Sequence, residues 1–330
     1  MPTSETIILP PGLVSRSLEA DAASLSNRME AFRNKLPTAG PTPIDRESAQ
    51  PQWPDDSPLP EVALEDFDAT KLRSAMATSG SLIVRGFLDR TTTESYKTVV
   101  DQVLSACENR KKNGSDADAA KTLFNNPPKA FSSLLPEAKL ARSRGFHRLS
   151  GSAMCVESAS LAEQLLQLYE EKGLRATIGD YLGEDPCLSA LKWVLRRSKF
   201  PINPIGWHQD GAFMGSDINS INMWIPLDNC GGDSGAPGLD VLPVRLKKIV
   251  NTGTEGAAFS WSVSDGDIGQ NYGEQSIVSP VFNAGDAFFF DHFYLHRTQY
   301  KASFSDLRYA IETWFFGSSN FPPNQIPLRW

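Results

Sequence analysis

Histidine is scarce in this chain. There are four in 330 residues, His147, His208, His292 and His296, so any imidazole chemistry must be built from these. Cysteine is equally rare. Cys107, Cys155, Cys187 and Cys230 lie far apart with no CxxC pair, which argues against a zinc knuckle or a disulfide framework and reads as reduced thiols in a cytoplasmic protein. No apolar run approaches the roughly 18 residues that a membrane span needs. Basic charge is not in excess: 32 Lys and Arg face 39 Asp and Glu, a net charge of -7, whereas a nucleic-acid binder carries a basic footprint. The opening MPTSETIILPPGL lacks a basic segment followed by a long apolar core, so no secretory signal is expected. What is present is ordinary for a globular protein, with 40% hydrophobic and 22% charged residues and enough length to bury a full core.

Along the chain, residues 15–36 carry a weak helical pattern through Leu18, Leu25, Met29, Phe32 and Leu36. Seven prolines then fall in the 24 residues from Pro37 to Pro60. Proline fixes φ and lacks an N–H, so this segment is expected to be an extended arm or linker, within an N-terminal extension over 1–61 that could wrap the domain or join a second copy in a homo-oligomer. The main domain is expected over 62–330. Its first part reads as a helix over 68–79 closed by Gly80, a strand over 81–88, a helix opened by a capping box at Thr91 and Glu94, a polar loop over 108–118 and an amphipathic helix over 161–174. From residue 187 the texture becomes β, with candidate strands at 188–196, 220–226, 239–242, 276–282, 286–290, 294–299 and 308–316. Helices first and strands afterwards imply an α+β fold, mainly β at its core, as an antiparallel barrel or sandwich.

One segment carries a chemical signature. In Trp207-His208-Gln209-Asp210 on an extended backbone, residues two apart share a face, so His208 and Asp210 present imidazole and carboxylate side by side. One more histidine would complete a two-histidine, one-carboxylate facial triad, which holds Fe(II) and leaves three coordination positions open. His292 and His296, in the strand–turn–strand stretch Gly285 to Thr298, are four apart, so strand parity does not choose between them. Arg308 opens another apolar strand, Arg308 to Phe316. A guanidinium among apolar side chains needs an anionic partner, and a dicarboxylic cosubstrate would supply one.

These pieces together resemble the Fe(II)/2-oxoglutarate-dependent dioxygenases, in particular the phytanoyl-CoA dioxygenase-like branch. The resemblance runs over roughly 62–316 and rests on GSLIVRGFLD at 80–89, HQD at 208–210, NMWIPLDN at 222–229, GDAFFFDHFYLHRT at 285–298 and LRYAIETWF at 307–315. It implies a double-stranded β-helix (jelly roll, cupin-like) with flanking N-terminal helices, and iron held by His208, Asp210 and His296. In that pattern His296 has the usual spacing to the arginine. His292 falls at a turn, as a turn residue or one facing substrate. Arg308 and the hydroxyl of Thr298 would hold the far carboxylate of 2-oxoglutarate, with Trp224 lining its pocket. The implied reaction hydroxylates an unactivated C–H of a small organic molecule, using O2 and releasing succinate and CO2. Asp210 argues against a halogenase, where a small residue stands in for the carboxylate.

Further residues are weighed beside these. Lys192 and Arg196 alternate with Leu191, Trp193 and Leu195, so one of them could enter the pocket, although such charges more often form a solvated face. Phe213 and Met214 follow the HQD segment as pocket wall or as core. His147, within Arg142 to Arg148, is expected on the surface or in a loop. The glycine-rich stretch 231–238 lacks the GK[ST] ending of a phosphate loop and reads as a turn. Two other readings stand against the oxygenase: a cupin-like metalloenzyme that needs no 2-oxoglutarate, and a non-catalytic jelly-roll binding protein.

Overall fold

The computed structural model describes residues 18–33, 53, 57–113, 137–198, 200, 202 and 206–330. Most of the proline-rich stretch lies outside them. The helices are α1 (Leu18–Arg33), α2 (Ala69–Thr78), α3 (Arg90–Asn113), α4 (Glu137–Leu149), α5 (Ala159–Glu171), α6 (Leu174–Leu182), the single turn α7 (Gly211–Met214) and α8 (Asp265–Tyr272). The strands are β1 (Glu61–Ala63), β2 (Ser81–Arg85), β3 (Ser152–Met154), β4 (Pro186–Arg197), β5 (Trp207–His208), β6 (Ser220–Pro226), β7 (Leu239–Val241), β8 (Ser262–Val263), β9 (Ala287–Phe290), β10 (His296–Thr298), β11 (Tyr309–Gly317) and β12 (Pro327–Arg329).

The strands form two sheets. The larger runs in the order β1-β2-β9-β6-β11-β4-β12, with β3 beside β4; the smaller is β7-β10-β5-β8. Every pairing is antiparallel except β1 with β2. From β4 to β11 the chain passes back and forth between the two sheets. Strand alternation then sorts the side chains. On one face of the large sheet, Leu82, Val84, Met223, Ile225, Phe289, Ile311 and Phe315 join the helices in one core. On the other, Ile83, Trp224, Phe288, Phe290 and Trp314 join Leu239 and Val241 of the small sheet in a second core. The α+β architecture with a β core is therefore observed. α1 belongs to the first core: Leu25 and Met29 are buried, and Arg28 pairs with Glu163 of α5 at 3.0 Å. No helix among the described residues is long and apolar enough to cross a membrane.

Local chemistry accounts for most element ends. Asp68 caps α2 by accepting from Lys71 N–H at 2.8 Å, and Gly80 takes φ 84 just past its end. The start of α3 corrects the Thr91 capping box. Asp89 is the cap, accepting from Thr92 N–H at 2.8 Å, while Glu94 pairs with Arg90 along the helix. The polar stretch from Glu108 is helical to Asn113 rather than a loop, because Lys, Arg and Glu are good helix formers; residues 114–118 lie outside the described residues. The expected strand at 276–282 is also corrected. It contributes only the isolated bridges Val278 to Val241 and Cys230 to Phe282, and Pro280 between them has no N–H for a ladder.

His147 is not a surface residue. It is buried on α4, its Nε2 lies 3.3 Å from the Leu191 carbonyl of β4, and its Nδ1 lies 3.0 Å from Ser152 Oγ. A carbonyl only accepts, so Nε2 carries the proton. Phe146 and Leu149 point outward in its place, at 44% and 81% exposure. Burial pushes the His147 pKa from 6.5 to about 3. The unfolded chain therefore takes up the proton first as pH falls, and stability is lost from about pH 6.5 downward towards 3. Urea unfolding at pH 7.5 and 5.5 should show a His147→Asn variant losing less stability across that interval than the parent, by on the order of 1 kcal/mol; equal losses would contradict it.

Candidate metal centre and pocket

The small sheet sets two histidines against each other. His208 of β5 lies directly opposite His296 of β10, with ring centroids 4.3 Å apart. Asp210 follows two residues after His208, and its Oδ1 lies 3.5 Å from His208 Nε2. One ligand atom from each of His208, Asp210 and His296 lies within 4.8 Å of the others, the only such group of three among the described residues. Both rings are oriented by their own backbone. His208 Nδ1 faces the Gly206 carbonyl at 3.0 Å, and His296 Nδ1 faces the Tyr294 carbonyl at 3.1 Å. Each Nδ1 must carry the proton, which leaves each Nε2 lone pair free to bind a metal. Burial pushes His208 to about 3, with His296 beside it as the next cause, and burial also lowers His296. The rings are neutral, as ligation requires.

His292 has the opposite tautomer. Its Nε2 lies 3.1 Å from the Ser216 carbonyl, so Nε2 is protonated, and Nδ1 lies 2.9 Å from Ser220 Oγ. Both nitrogens are occupied, and the residue is fully buried. It is a turn residue that supports the site from beneath. Gly211 N–H donates to the His292 carbonyl at 2.9 Å, and a Cβ on Gly211 would meet that oxygen at 2.9 Å and Ile249 Cδ1 at 2.7 Å. Glycine at 211 is what lets the loop that follows Asp210 lie against this turn.

Facing the triad, the large sheet supplies charge. Arg308 is 5% exposed. Its Nη1 donates to the carbonyls of Pro237 and Gly238 at 3.1 and 3.4 Å, its guanidinium lies 5.3 Å from the Trp224 ring centre, and its Nε has no partner. Burial pulls its pKa below the ordinary value. Thr298, partly buried, sits opposite Leu239, the residue after Gly238, so its strand position borders the backbone that holds Arg308. Trp224 also packs edge-on against Phe282, so it serves core and arginine together.

Lys192 reaches the metal cluster. Its Nζ lies 3.5 Å from Asp210 Oδ2 and 3.6 Å from Glu312 Oε1, and 4.5 Å from the Phe213 ring centre. It shares its strand face with Arg196, while Trp193 and Leu195 between them turn to the helix-side core; an irregularity in β4 begins beside it. Thr313 of β11 pairs with Trp193 and Phe315 with Leu188, so β4 carries extra residues across this stretch and regains its register just after Lys192. Phe213 packs edge-on to Trp261, which in turn stands edge-on to His208 at 5.5 Å. Met214 is buried between the sheets as core.

Glu312 is the residue that sequence reading missed. It is 6% exposed, with Oε2 2.7 Å from Arg196 Nε and 2.5 Å from Arg196 Nη2. Burial alone would raise its pKa, but Arg196 and Lys192 outweigh that and hold it below the usual range. The available signal was parity: Glu312 stands four residues after Arg308 on one strand and so shares its face.

No family model and no curated protein matches the chain. Among solved structures it is similar to EctD from S. alaskensis with 2-oxoglutarate and 5-hydroxyectoine, at 14% identity over 86% of this chain and 84% of that one, TM-score 0.43. It is also similar to SnoK, a non-heme alpha ketoglutarate dependent carbocyclase from nogalamycin biosynthesis, at 13% identity over 78% and 87%, TM-score 0.48. A third is the apo form of ThoJ, a non-heme monooxygenase, at 12% identity over 78% and 82%, TM-score 0.47. All three scores lie below 0.5.

Metal titration separates the histidines. His208→Ala or His296→Ala should weaken anaerobic Fe(II) binding by at least about a hundredfold. His292→Ala should keep one Fe(II) per chain and lower stability by about 1–3 kcal/mol, because the Ser216 carbonyl and Ser220 hydroxyl lose their partner. Loss of iron in the His292 variant with retention in the His296 variant would refute the ligand set.

Proposed function

We propose that the chain is an Fe(II)- and 2-oxoglutarate-dependent oxygenase on a double-stranded β-helix. It hydroxylates an unactivated C–H of a small organic molecule and releases succinate and CO2. The fold reading draws on the alternation of β4 to β11 between two facing sheets. The functional reading is carried by one observation: a buried guanidinium with an orphaned Nε and no carboxylate paired with it lies against Trp224, on the sheet face that packs against the small sheet, and the small sheet carries both histidines of a two-histidine, one-carboxylate cluster. A buried cation of this kind costs several kcal/mol unless an anion meets it. A dicarboxylate with one end at the metal and the other at Arg308 meets that need, and the donor set of two imidazoles and a carboxylate suits Fe(II).

In this reading iron, 2-oxoglutarate and O2 supply the oxidising power. The chain's residues do the rest. His208, His296 and Asp210 hold the metal through one face and leave the other open. The Gly206 and Tyr294 carbonyls keep both imidazoles in the ligating tautomer. Arg308, over Trp224 and beside Thr298, orients the cosubstrate by its far carboxylate. Phe213 and Trp261 shield the open side from water. Asp210 fills the carboxylate position, which disfavours halogenation. A cupin-like enzyme that uses no 2-oxoglutarate, or a binding protein without chemistry, has no need of the unpaired Arg308.

Release of labelled CO2 from carboxyl-labelled 2-oxoglutarate, with Fe(II) and O2, tests the reading. Arg308→Ala should raise the KM for 2-oxoglutarate by about tenfold to a hundredfold, matching the roughly 1.5–3 kcal/mol of a charged hydrogen bond, while Fe(II) affinity holds. An unchanged KM removes Arg308 from the site, and no CO2 release by iron-loaded parent protein rejects the function.

A further inference from the structure

The second charge cluster in the pocket is not needed to hold iron or cosubstrate. Accepting the oxygenase reading above, the charges there balance. The two positive charges of iron and the Arg308 guanidinium are met by Asp210 and by the two carboxylates of 2-oxoglutarate. What remains on the inward face is Lys192, Arg196 and Glu312, whose side chains are 16%, 22% and 8% exposed. Two cations share one carboxylate, and they do not share it equally. Arg196 takes Glu312 Oε2 with two nitrogens at 2.7 and 2.5 Å. Lys192 stands 3.6 Å from the other oxygen and 3.5 Å from Asp210, both beyond hydrogen-bonding distance. A metal held at Asp210 would draw on the carboxylate's charge and weaken the lysine's already loose pairing with it. That would leave an ammonium with three donors beside the metal cluster, its side chain 16% exposed.

The body of a ligand there would meet aromatic rings. Trp261 stacks on Phe259 at 4.9 Å with the rings 2° from parallel, and Phe213 lies edge-on to Trp261 and beneath Lys192. Phe259 is 39% exposed, so the stack reaches solvent. A coenzyme A thioester fits poorly. It brings several negative charges to a pocket with one to offset. Of the three arginines in the 142–148 stretch, Arg144 and Arg148 are both paired with the buried Glu157, at 3.2 and 2.7 Å, and only Arg142 is exposed.

We propose that the substrate is a free monocarboxylate with a flat apolar body, its carboxylate bound by Lys192 in place of Asp210 and its body against Trp261 and Phe213. Glu312 sets the selectivity. It neutralises one of the two cations, so a single negative charge is matched and a second is not.

The test is equilibrium dialysis of 3-phenylpropanoate and indole-3-acetate, each against its carboxamide, on the anaerobic Fe(II)–2-oxoglutarate protein. At least one acid should bind about tenfold or more tightly than its amide. Lys192→Met should abolish that preference. Glu312→Gln should strengthen acid binding several-fold, because it frees a cation, whereas a purely structural ion cluster would give weaker binding in both variants. Acids and amides binding alike, no acid binding at millimolar concentration, or a preference that survives Lys192→Met would each overturn the proposal. Retention of 2-oxoglutarate in the same dialysis cells reports the underlying oxygenase reading: if it is retained while the acid preference is missing, only the substrate inference falls.

Discussion

The site depends on one cross-strand pair. His208 and His296 face each other across the junction of β5 and β10, and each gives its Nδ1 proton to a carbonyl two residues upstream in its own chain. The backbone thereby chooses the tautomer, and the two free lone pairs point into the space between the sheets. A ladder register error of one residue would turn one ring to the other face. The register is held by neighbours on both sides, with Val241 opposite His296 and Ser262 opposite His208. The four histidines fall into two classes on this criterion alone. His147 and His292 give an Nε2 proton to a carbonyl and are structural, while His208 and His296 keep Nε2 free.

The second constraint is electrostatic. The large sheet turns Arg308, Glu312, Lys192 and Arg196 towards the triad from a face that is otherwise aromatic, with Trp224, Phe288, Phe290 and Trp314. Low-dielectric walls strengthen each of these charges, and they also raise the cost of leaving one unmatched. Arg308 and Lys192 are the two that the protein leaves poorly matched. The first lies deep with an orphaned Nε, and the second is slightly exposed with only long contacts. A dicarboxylate at the first and a monoanion at the second follow from the same physical rule.

How far the sequence disclosed this arrangement depended on whether the cause was local. Strand alternation is local, so β6 over Ser220–Pro226 is read with its observed bounds, and the shared face of His208 and Asp210 appears in four residues. Arg308 stood out because a lone cation opened an apolar strand. Tertiary causes were hidden. His147 lies in a polar, arginine-rich stretch, and only the docking of α4 on β4 buries it. Parity could not separate His292 from His296; the hydrogen bonds to Ser216 and Ser220 do. Alternation on β4 put Lys192 and Arg196 on one face, but whether that face meets solvent or the metal cluster is set by how the two sheets pack, which no local pattern shows. Glu312 was visible in principle, four residues after Arg308, but nothing local marked it as the partner of Arg196.

The central claim is that Fe(II) and 2-oxoglutarate bind together between the two sheets, the metal at His208, Asp210 and His296 and the cosubstrate reaching Arg308. Its most direct test is the visible absorption of the anaerobic protein on adding Fe(II) and then 2-oxoglutarate. The account predicts a weak charge-transfer band that needs both additions, is lost in His296→Ala, and in Arg308→Ala reappears only at about tenfold to hundredfold higher 2-oxoglutarate. Iron-loaded parent protein that shows no band at saturating 2-oxoglutarate would contradict it.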